Sequence, residues 1–147
     1  MAIRKSVSQI TLRVVLSAYL EARRLKPATA VAYRQRAYAC FGDWLDLPIA
    51  SITKDMIGER HTDITRRGPA QANLAFRVLR ALLNYGIRRY ELPGRNPVDR
   101  LSETRQWNRV KRRVSVLNES RLRAWSLALE TIDNRTVRDY LVFLLFT

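Results

Sequence analysis

Five polar residues recur at helical spacing between residues 69 and 90, and three of them carry guanidinium groups. At roughly 100° per residue they share one side of a predicted helix. They are Asn73, Arg77, Arg80, Asn84 and Arg88. Arginine can donate hydrogen bonds to guanine edges or to phosphates, and asparagine can pair with adenine. Helix faces that are merely solvated usually carry both acidic and basic residues. This face has no acidic residue and therefore predicts contact with DNA. The alternative is that it is an ordinary solvent-exposed face.

The same helix has a second polar cluster near its start and an apolar side opposite the arginines. Free backbone N–H groups at a helix start favour phosphate, which makes the neighbouring polar side chains candidate contacts. These candidates are Arg66, Arg67 and Gln71. The apolar side, predicted to face the core, consists of Ala72, Ala75, Phe76, Leu79, Leu82, Leu83 and Gly86. Gly86 costs up to about 1 kcal/mol of helix propensity unless close packing requires it.

A second basic element is the stretch RQWNRVKRR, which has little apolar pattern and therefore predicts a linker. Its cations are Arg105, Arg109, Lys111, Arg112 and Arg113. A basic connector can follow a phosphate backbone and gain entropy from released counterions. The alternative is a linker whose charges only aid solubility. Trp107 within it is expected to be a packing anchor rather than a platform for base stacking.

A third and weaker candidate contact lies on the second predicted helix. Lys26 and Thr29 are near its positive end, and Arg36 flanks its apolar face. Together they could hold one phosphate. Thr29 could equally be an ordinary residue of the first turn.

Composition agrees with a polyanion as the partner. The formal net charge is +14 and the isoelectric point is about 11.1, which indicates nucleic acid or, less often, an anionic membrane. A hydrophobic content of 47% can support a core. The single cysteine, Cys40, excludes an internal disulfide framework and is expected in the core.

Other functional classes lack the residues they would need. We find no signal peptide and no apolar run of the ~20 residues that a membrane span requires, so we expect a cytoplasmic protein without a membrane partner. His61, the only histidine, has no companions for metal binding or acid–base chemistry, and it is expected on the surface. Because no cluster of His, Cys or carboxylates exists, we predict no metal, no cofactor and no catalytic residue.

Caps and apolar spacing predict an all-α chain. Thr11 can cap a first helix, Pro27 suits the first turn of a second, and Thr53 can cap a third over about 53–62. The long fourth helix is expected over about 69–90, and Asn96 precedes a short fifth helix that starts at Pro97. After the linker, VSVL is interpreted as a possible short strand. Asn118 can then cap a helix ending near Leu129, before a terminal helix.

The terminal helix carries an unusual apolar ending, DYLVFLLFT. Asp133 or Asn134 can cap its start, but no Gly, Pro or cationic turn ends it. Tyr140 lies in its apolar stripe and is expected in the core. Such an ending predicts either a buried contact with a partner or a chain that has been cut.

The order of these segments resembles the core-binding domain of tyrosine recombinases, the phage-integrase family. The resemblance runs through TLRVVLSAYLEARRLKPATAVAYRQRAYACFGDWL, SITKDMI, ANLAFRVLRALLNYGIRRY and RNPV. RRVSVLNESRLRAWSLAL and DYLVFLLFT resemble the opening of that family's catalytic domain. The resemblance to this family implies a small orthogonal, SAM-like bundle of four to five helices over 1–101. It also implies a basic linker over 102–115 and a fragment of the catalytic domain over 116–147.

The resemblance also implies a function for the parent protein. Family members cut DNA with a tyrosine nucleophile through a 3′-phosphotyrosyl link, assisted by arginine, lysine and histidine or tryptophan residues, without high-energy cofactors. None of those catalytic positions is present here, so the fragment is not expected to cleave DNA. Its implied partners are double-stranded DNA and the missing catalytic domain in cis. We expect a monomer alone, a tetramer of the parent on recombining DNA, and a bacterial or phage, nucleoid-associated setting.

In the family, the second and fourth helices press on the duplex and the linker crosses it. That implies DNA contact for five residues that helical projection also selected: Thr29, Arg36, Asn73, Arg77 and Arg80. A different reading remains open: a small basic helical DNA- or RNA-binding regulator that dimerises through its C-terminal helix.

Overall fold

The computed structural model describes residues 10–111 and 118–146. Helices account for most of these residues and no strand occurs among them, so the predicted all-α class is confirmed. The seven α-helices are α1 (Leu12–Ala22), α2 (Pro27–Phe41), α3 (Lys54–Arg67), α4 (Pro69–Arg89), α5 (Arg100–Glu103), α6 (Glu119–Glu130) and α7 (Arg135–Leu145). The chain divides into two compact units, Met1–Val110 and Lys111–Thr147.

Most helix starts are those expected from the capping residues. The side chains of Thr11 and Thr53 accept hydrogen bonds from the backbone of the first turns of α1 and α3. Asn134, rather than Asp133, caps α7. Asn96 caps a short 3-10 turn, Pro97–Asp99, that leads into α5. Each cap satisfies a backbone N–H that has no partner within the helix, so these short polar side chains fix where the helices begin.

The long helix α4 forms the centre of the first unit and packs against α1, α2 and α3. All seven residues of its predicted apolar side are buried, and Val78 is buried with them. The ring of Phe76 meets Phe41 edge-on, with ring centres 5.3 Å apart. This burial directs the polar side of α4 away from the core and thereby orients the arginine stripe.

One local prediction, the end of α3, needs revision, and another lies outside the described residues. Helix α3 continues to Arg67, five residues beyond the expected end near residue 62. The extension follows from Ile64, which lies seven residues after Ile57 and is buried on the same side. The segment VSVL, interpreted as a possible strand, lies outside the residues that the structure describes.

Gly86 in α4 is a site of close helix packing. A Cβ atom at this position would lie 2.8 Å from Cδ1 of Ile49 and 3.0 Å from Cγ2 of Val15. Val15 is β-branched and fully buried, so it has little freedom to move aside. Glycine here therefore lets α1 and the turn at Ile49 approach α4.

We expect Gly86→Ala to destabilise the protein by about 1 kcal/mol, because overpacking outweighs the gain in helix propensity. Gly58→Ala in α3 is the matched control, since its nearest neighbour would be Nε of Arg100 at 3.8 Å. That substitution should stabilise by about 0.5 to 1 kcal/mol. Urea denaturation of both variants provides the measurement. Equal stabilisation by the two alanines would show that the space at Gly86 is not limiting.

The second unit consists of α6 and α7. Leu129 is its buried hydrophobic residue among those described. The prediction that Tyr140 belongs to a core is wrong, because 60% of its surface is exposed. None of the residues in α7 is buried. In the described part of the chain, no helix combines the length and the hydropathy needed to cross a bilayer.

Candidate nucleic-acid interface

The polar stripe of α4 differs along its length in how accessible it is. Arg77, Asn84 and Arg88 are exposed, whereas Asn73 and Arg80 are half-buried. Among the described residues, no carboxylate lies within ion-pair distance of Arg77 or Arg88. These two guanidiniums are therefore open to an external anion.

Arg80 has a carboxylate partner within the protein. Its Nη2 lies 2.7 Å from Oδ1 of Asp99, and 41% of the Arg80 side chain is exposed. The sequence showed no acid on the α4 face itself, because Asp99 belongs to the turn after Asn96. The ion pair removes part of the charge of Arg80 but leaves other N–H groups of its guanidinium free to donate.

The amide of Asn84 is held by the buried side chain of Asn96. Nδ2 of Asn96 donates to Oδ1 of Asn84 at 2.8 Å and to the backbone oxygen of Arg80 at 2.9 Å. Oδ1 of Asn96 accepts from the backbone N–H of Val98 at 3.0 Å. One buried amide thus joins the turn at residues 96–99 to the middle of α4.

Asn73 is engaged with the start of the basic segment. Its Nδ2 donates to the backbone oxygen of Asn108 at 2.8 Å, and its Oδ1 accepts from the backbone N–H of Asn108 at 3.0 Å. The side chain of Asn108 in turn donates to Thr65 at 2.8 Å and to the backbone oxygen of Pro69 at 3.2 Å. With both amide groups occupied, Asn73 anchors the chain rather than presenting a free amide.

Trp107 packs against the same core, as the sequence predicted for a packing anchor. Its indole N–H donates to the hydroxyl of Ser102 at 3.0 Å. Together with Asn108, Trp107 fixes the first half of the basic stretch to the first unit.

A shallow hollow lies where Trp107 meets the polar stripe of α4. Its volume is about 460 Å³, and it is lined by Arg77, Arg80, Ala81, Asn84 and Trp107. The structure thus brings together three of the five predicted stripe residues with the aromatic residue of the basic segment. Guanidinium and amide groups surround an apolar floor in this hollow.

Two of the predicted contacts, Arg36 on α2 and Arg67 on α3, lie near the thiol of Cys40. Burial raises the pKa of this half-buried thiol, and the nearby cations Arg36, Arg67 and Arg60 oppose that rise. Arg60 is already paired with Asp43 and lies over the ring of Trp44, so it supports the fold.

The remaining candidates within the described residues are exposed. Lys26 and Thr29 are exposed at the start of α2, and Gln71 is exposed at the start of α4. Arg66 makes only a 3.4 Å contact with Asp63. The basic segment exposes Arg105, Arg109 and Lys111. Arg112 and Arg113 lie outside the described residues.

His61 is buried, which corrects the prediction of a surface residue. Only 4% of its surface is exposed, and its ring meets Phe76 and Trp107 edge-on at 5.2 and 6.1 Å between ring centres. Among the described residues, no hydrogen-bond partner is found for its Nε2. Burial lowers the pKa of His61 below its ordinary value of 6.5, with Asn73 exerting a smaller opposite effect. The polar neighbours of His61 in sequence concealed its burial.

The depressed pKa of His61 predicts a loss of stability in mild acid. Below the ordinary pKa of 6.5, His61 is protonated in the unfolded chain but stays neutral in the folded chain. The free energy of unfolding therefore falls as the pH drops from 6.5 towards the lower pKa of the folded state. Urea midpoints between pH 7.5 and 5 should show this decline. His61→Phe removes the titrating ring and should flatten the profile. A wild-type profile that is already flat in this range would contradict the assignment.

Two residues of this region were missed as site residues by sequence reasoning. Asp99 and Asn108 act through tertiary contacts, and only Asn96 carried a local signal, as a cap before Pro97. In the described parts of the chain, no group of three His, Cys, Asp or Glu residues could hold a metal ion. Comparisons with protein-family models, curated proteins and solved structures found no match.

Proposed function

We propose that this chain is the duplex-DNA-binding portion of a site-specific tyrosine recombinase. In this proposal residues 1–101 form a SAM-like core-binding domain, 102–115 a basic linker and 116–147 the beginning of a catalytic domain. The observation that carries it is α4, whose buried side fixes the helix while Arg77 and Arg88 remain exposed, with no carboxylate partner among the residues that the structure describes. A net charge of +14 gives the same preference for a polyanion.

DNA binding would use two kinds of contact. The exposed cations of α2, α4 and the basic segment neutralise phosphates and release counterions, which gives affinity without sequence preference. The hollow beside Trp107 offers donors and apolar surface suited to base edges in a major groove. Trp107 and Asn108 reduce the ordering cost because they hold the first part of the basic segment in place before DNA arrives.

The proposed parent protein, rather than this chain, performs the phosphotyrosyl strand transfer. The chain supplies DNA binding, requires no cofactor and is monomeric alone, and the parent acts as a tetramer on recombining DNA. A bacterial or phage cytoplasm with access to the nucleoid is the corresponding setting. The exposed apolar residues of α7 support this assignment, because such a face needs protein cover that a catalytic domain in cis would provide.

A salt series of duplex titrations tests the proposal. We expect binding of a fluorescent duplex at about 50 mM salt and a log–log slope of roughly −4 to −7, which corresponds to five to eight phosphate contacts. A double-stranded RNA of the same sequence is the control and should bind more weakly, because its deep and narrow major groove does not admit a helix. Absence of duplex binding at ~50 mM salt would refute the proposal.

The exposed face of α7 also favours a second candidate, a basic helical regulator that dimerises through this helix. Phe143 is 62% exposed and Leu144 is 49% exposed, on a helix without buried residues. Sedimentation equilibrium separates the two candidates. A dimer that becomes monomeric in a Phe143→Asp variant favours the regulator, and a monomer at all concentrations favours the recombinase portion.

A further inference from the structure

The chemistry of the hollow beside Trp107 depends on which atom of Asn84 faces it. The orientation of an amide side chain follows from its hydrogen-bond partners. Here the network is fixed by the backbone, because Asn96 must present Oδ1 to the N–H of Val98. Its Nδ2 therefore points to Asn84 and must meet an acceptor, so Asn84 presents Oδ1 to Asn96.

This arrangement changes what Asn84 can recognise. Pairing of asparagine with adenine uses the amide oxygen to accept from N6 and the amide nitrogen to donate to N7. The oxygen of Asn84 already accepts one hydrogen bond from Asn96 at 2.8 Å, whereas no hydrogen bond engages its Nδ2 among the described residues. Asn73 has both of its amide groups bonded to the backbone of Asn108. Both asparagines of the stripe are therefore less suited to adenine recognition than a free amide would be, and Asn84 is the stronger donor of the two.

The other polar groups of the hollow are donors as well. Arg77 and Arg80 carry only N–H donors, and the neighbouring carboxylate of Asp99 is paired with Arg80 at 2.7 Å. Ala81 and Trp107 supply the apolar lining. A ligand suited to this hollow presents hydrogen-bond acceptors and tolerates an apolar surface beside them.

We propose that this hollow receives the keto edge of a base in the major groove, guanine or thymine, in preference to adenine and cytosine at that position. Guanine presents the acceptors O6 and N7, and thymine presents O4 beside its C5-methyl group. Adenine has one acceptor, N7, beside its amino donor, and cytosine has the amino donor alone, so the donors of Asn84 and Arg77 find fewer acceptors on these bases. The inference rests on the proposed duplex-DNA binding and assigns a base preference to it.

The test is selection from a library of randomised duplexes at about 50 mM salt, with wild-type protein and Asn84→Asp in parallel. We expect the wild type to enrich guanine or thymine at one position by roughly fivefold or more. In Asn84→Asp one carboxylate oxygen still accepts from Asn96 and the other replaces the donor with an acceptor. The preference should then move towards adenine or cytosine, while Asn84→Ala should weaken the preference without gaining another, because the donors of Arg77 and Arg80 remain. Circular dichroism and thermal unfolding check that both variants fold.

Base analogues separate the two keto bases at the enriched position. Deoxyuridine weakens binding if the methyl group of thymine lies against Ala81 and Trp107, and 7-deazaguanine weakens binding if N7 of guanine is the acceptor. Enrichment of adenine or cytosine by the wild type, an unchanged preference in Asn84→Asp, or duplex binding without any base preference would each overturn the inference. The last result would identify the hollow as a phosphate contact and leave the proposed function standing. Absence of duplex binding would instead remove both.

Discussion

Asn96→Ala is expected to lower the free energy of unfolding by about 2 to 3 kcal/mol. The side chain is 3% exposed and combines a cap on the turn at Pro97 with two donated hydrogen bonds to α4. Its loss leaves the buried N–H of Val98 without its side-chain partner, which is the costly part of the change. Because Asp99 lies in the same turn, its ion pair with Arg80 should also weaken, and Arg80 should be held less firmly.

Urea denaturation measures this effect best in a Trp125→Phe background. Tryptophan emission then reports Trp44 and Trp107 of the first unit. Thr53→Ala is the matched control, since Thr53 caps α3 with a single exposed hydrogen bond and should cost only about 1 kcal/mol. Equal losses for the two substitutions would contradict the role of Asn96 as a buried link between the turn and α4.

Arg77→Ala is expected to weaken duplex binding by about 1 to 3 kcal/mol if the guanidinium reaches a base edge. A contact with phosphate alone would weaken all duplexes alike and lower the salt slope by about one. Folding should change little, because Arg77 is exposed and lacks an ion-pair partner among the described residues. Fluorescence anisotropy and a thermal melt of the same sample measure both quantities.

Arg34→Ala is the control for this prediction. Arg34 is an exposed arginine on α2 beside Val31 and Tyr38, and it lies two positions from Arg36, which places it on a different side of the helix. Both substitutions remove one positive charge, so a general electrostatic effect would be the same for the two. Equal weakening by Arg34→Ala and Arg77→Ala would contradict a specific role for the α4 face.

The orientation of α4 could be predicted because it depends on local periodicity. Its apolar residues recur at three and four positions, and burial of that side leaves one orientation for the arginines. The caps at Thr11, Thr53 and Asn96 were predictable for the same reason, since a cap acts within three residues of itself.

The partners of the stripe residues could not be predicted, because they come from distant parts of the chain. Asn73 meets Asn108 across 35 positions, and the ion pair of Arg80 depends on how the turn at Asp99 folds back. His61 was misplaced for a related reason, since its burial is produced by Phe76 and Trp107 from other segments. Local polarity gave no information about these contacts.

DNA is proposed to lie on the polar side of α4, and the backbone amide NMR signals of the isotope-labelled protein test this placement directly. Titration with a short duplex at ~50 mM salt should shift the amide signals around Arg77, Asn84 and Arg88 more than those of Val31 and Tyr38 on α2. Substoichiometric duplex should produce the same pattern. Shifts concentrated at Val31 and Tyr38, or no shifts on α4 at saturating duplex, would contradict the account.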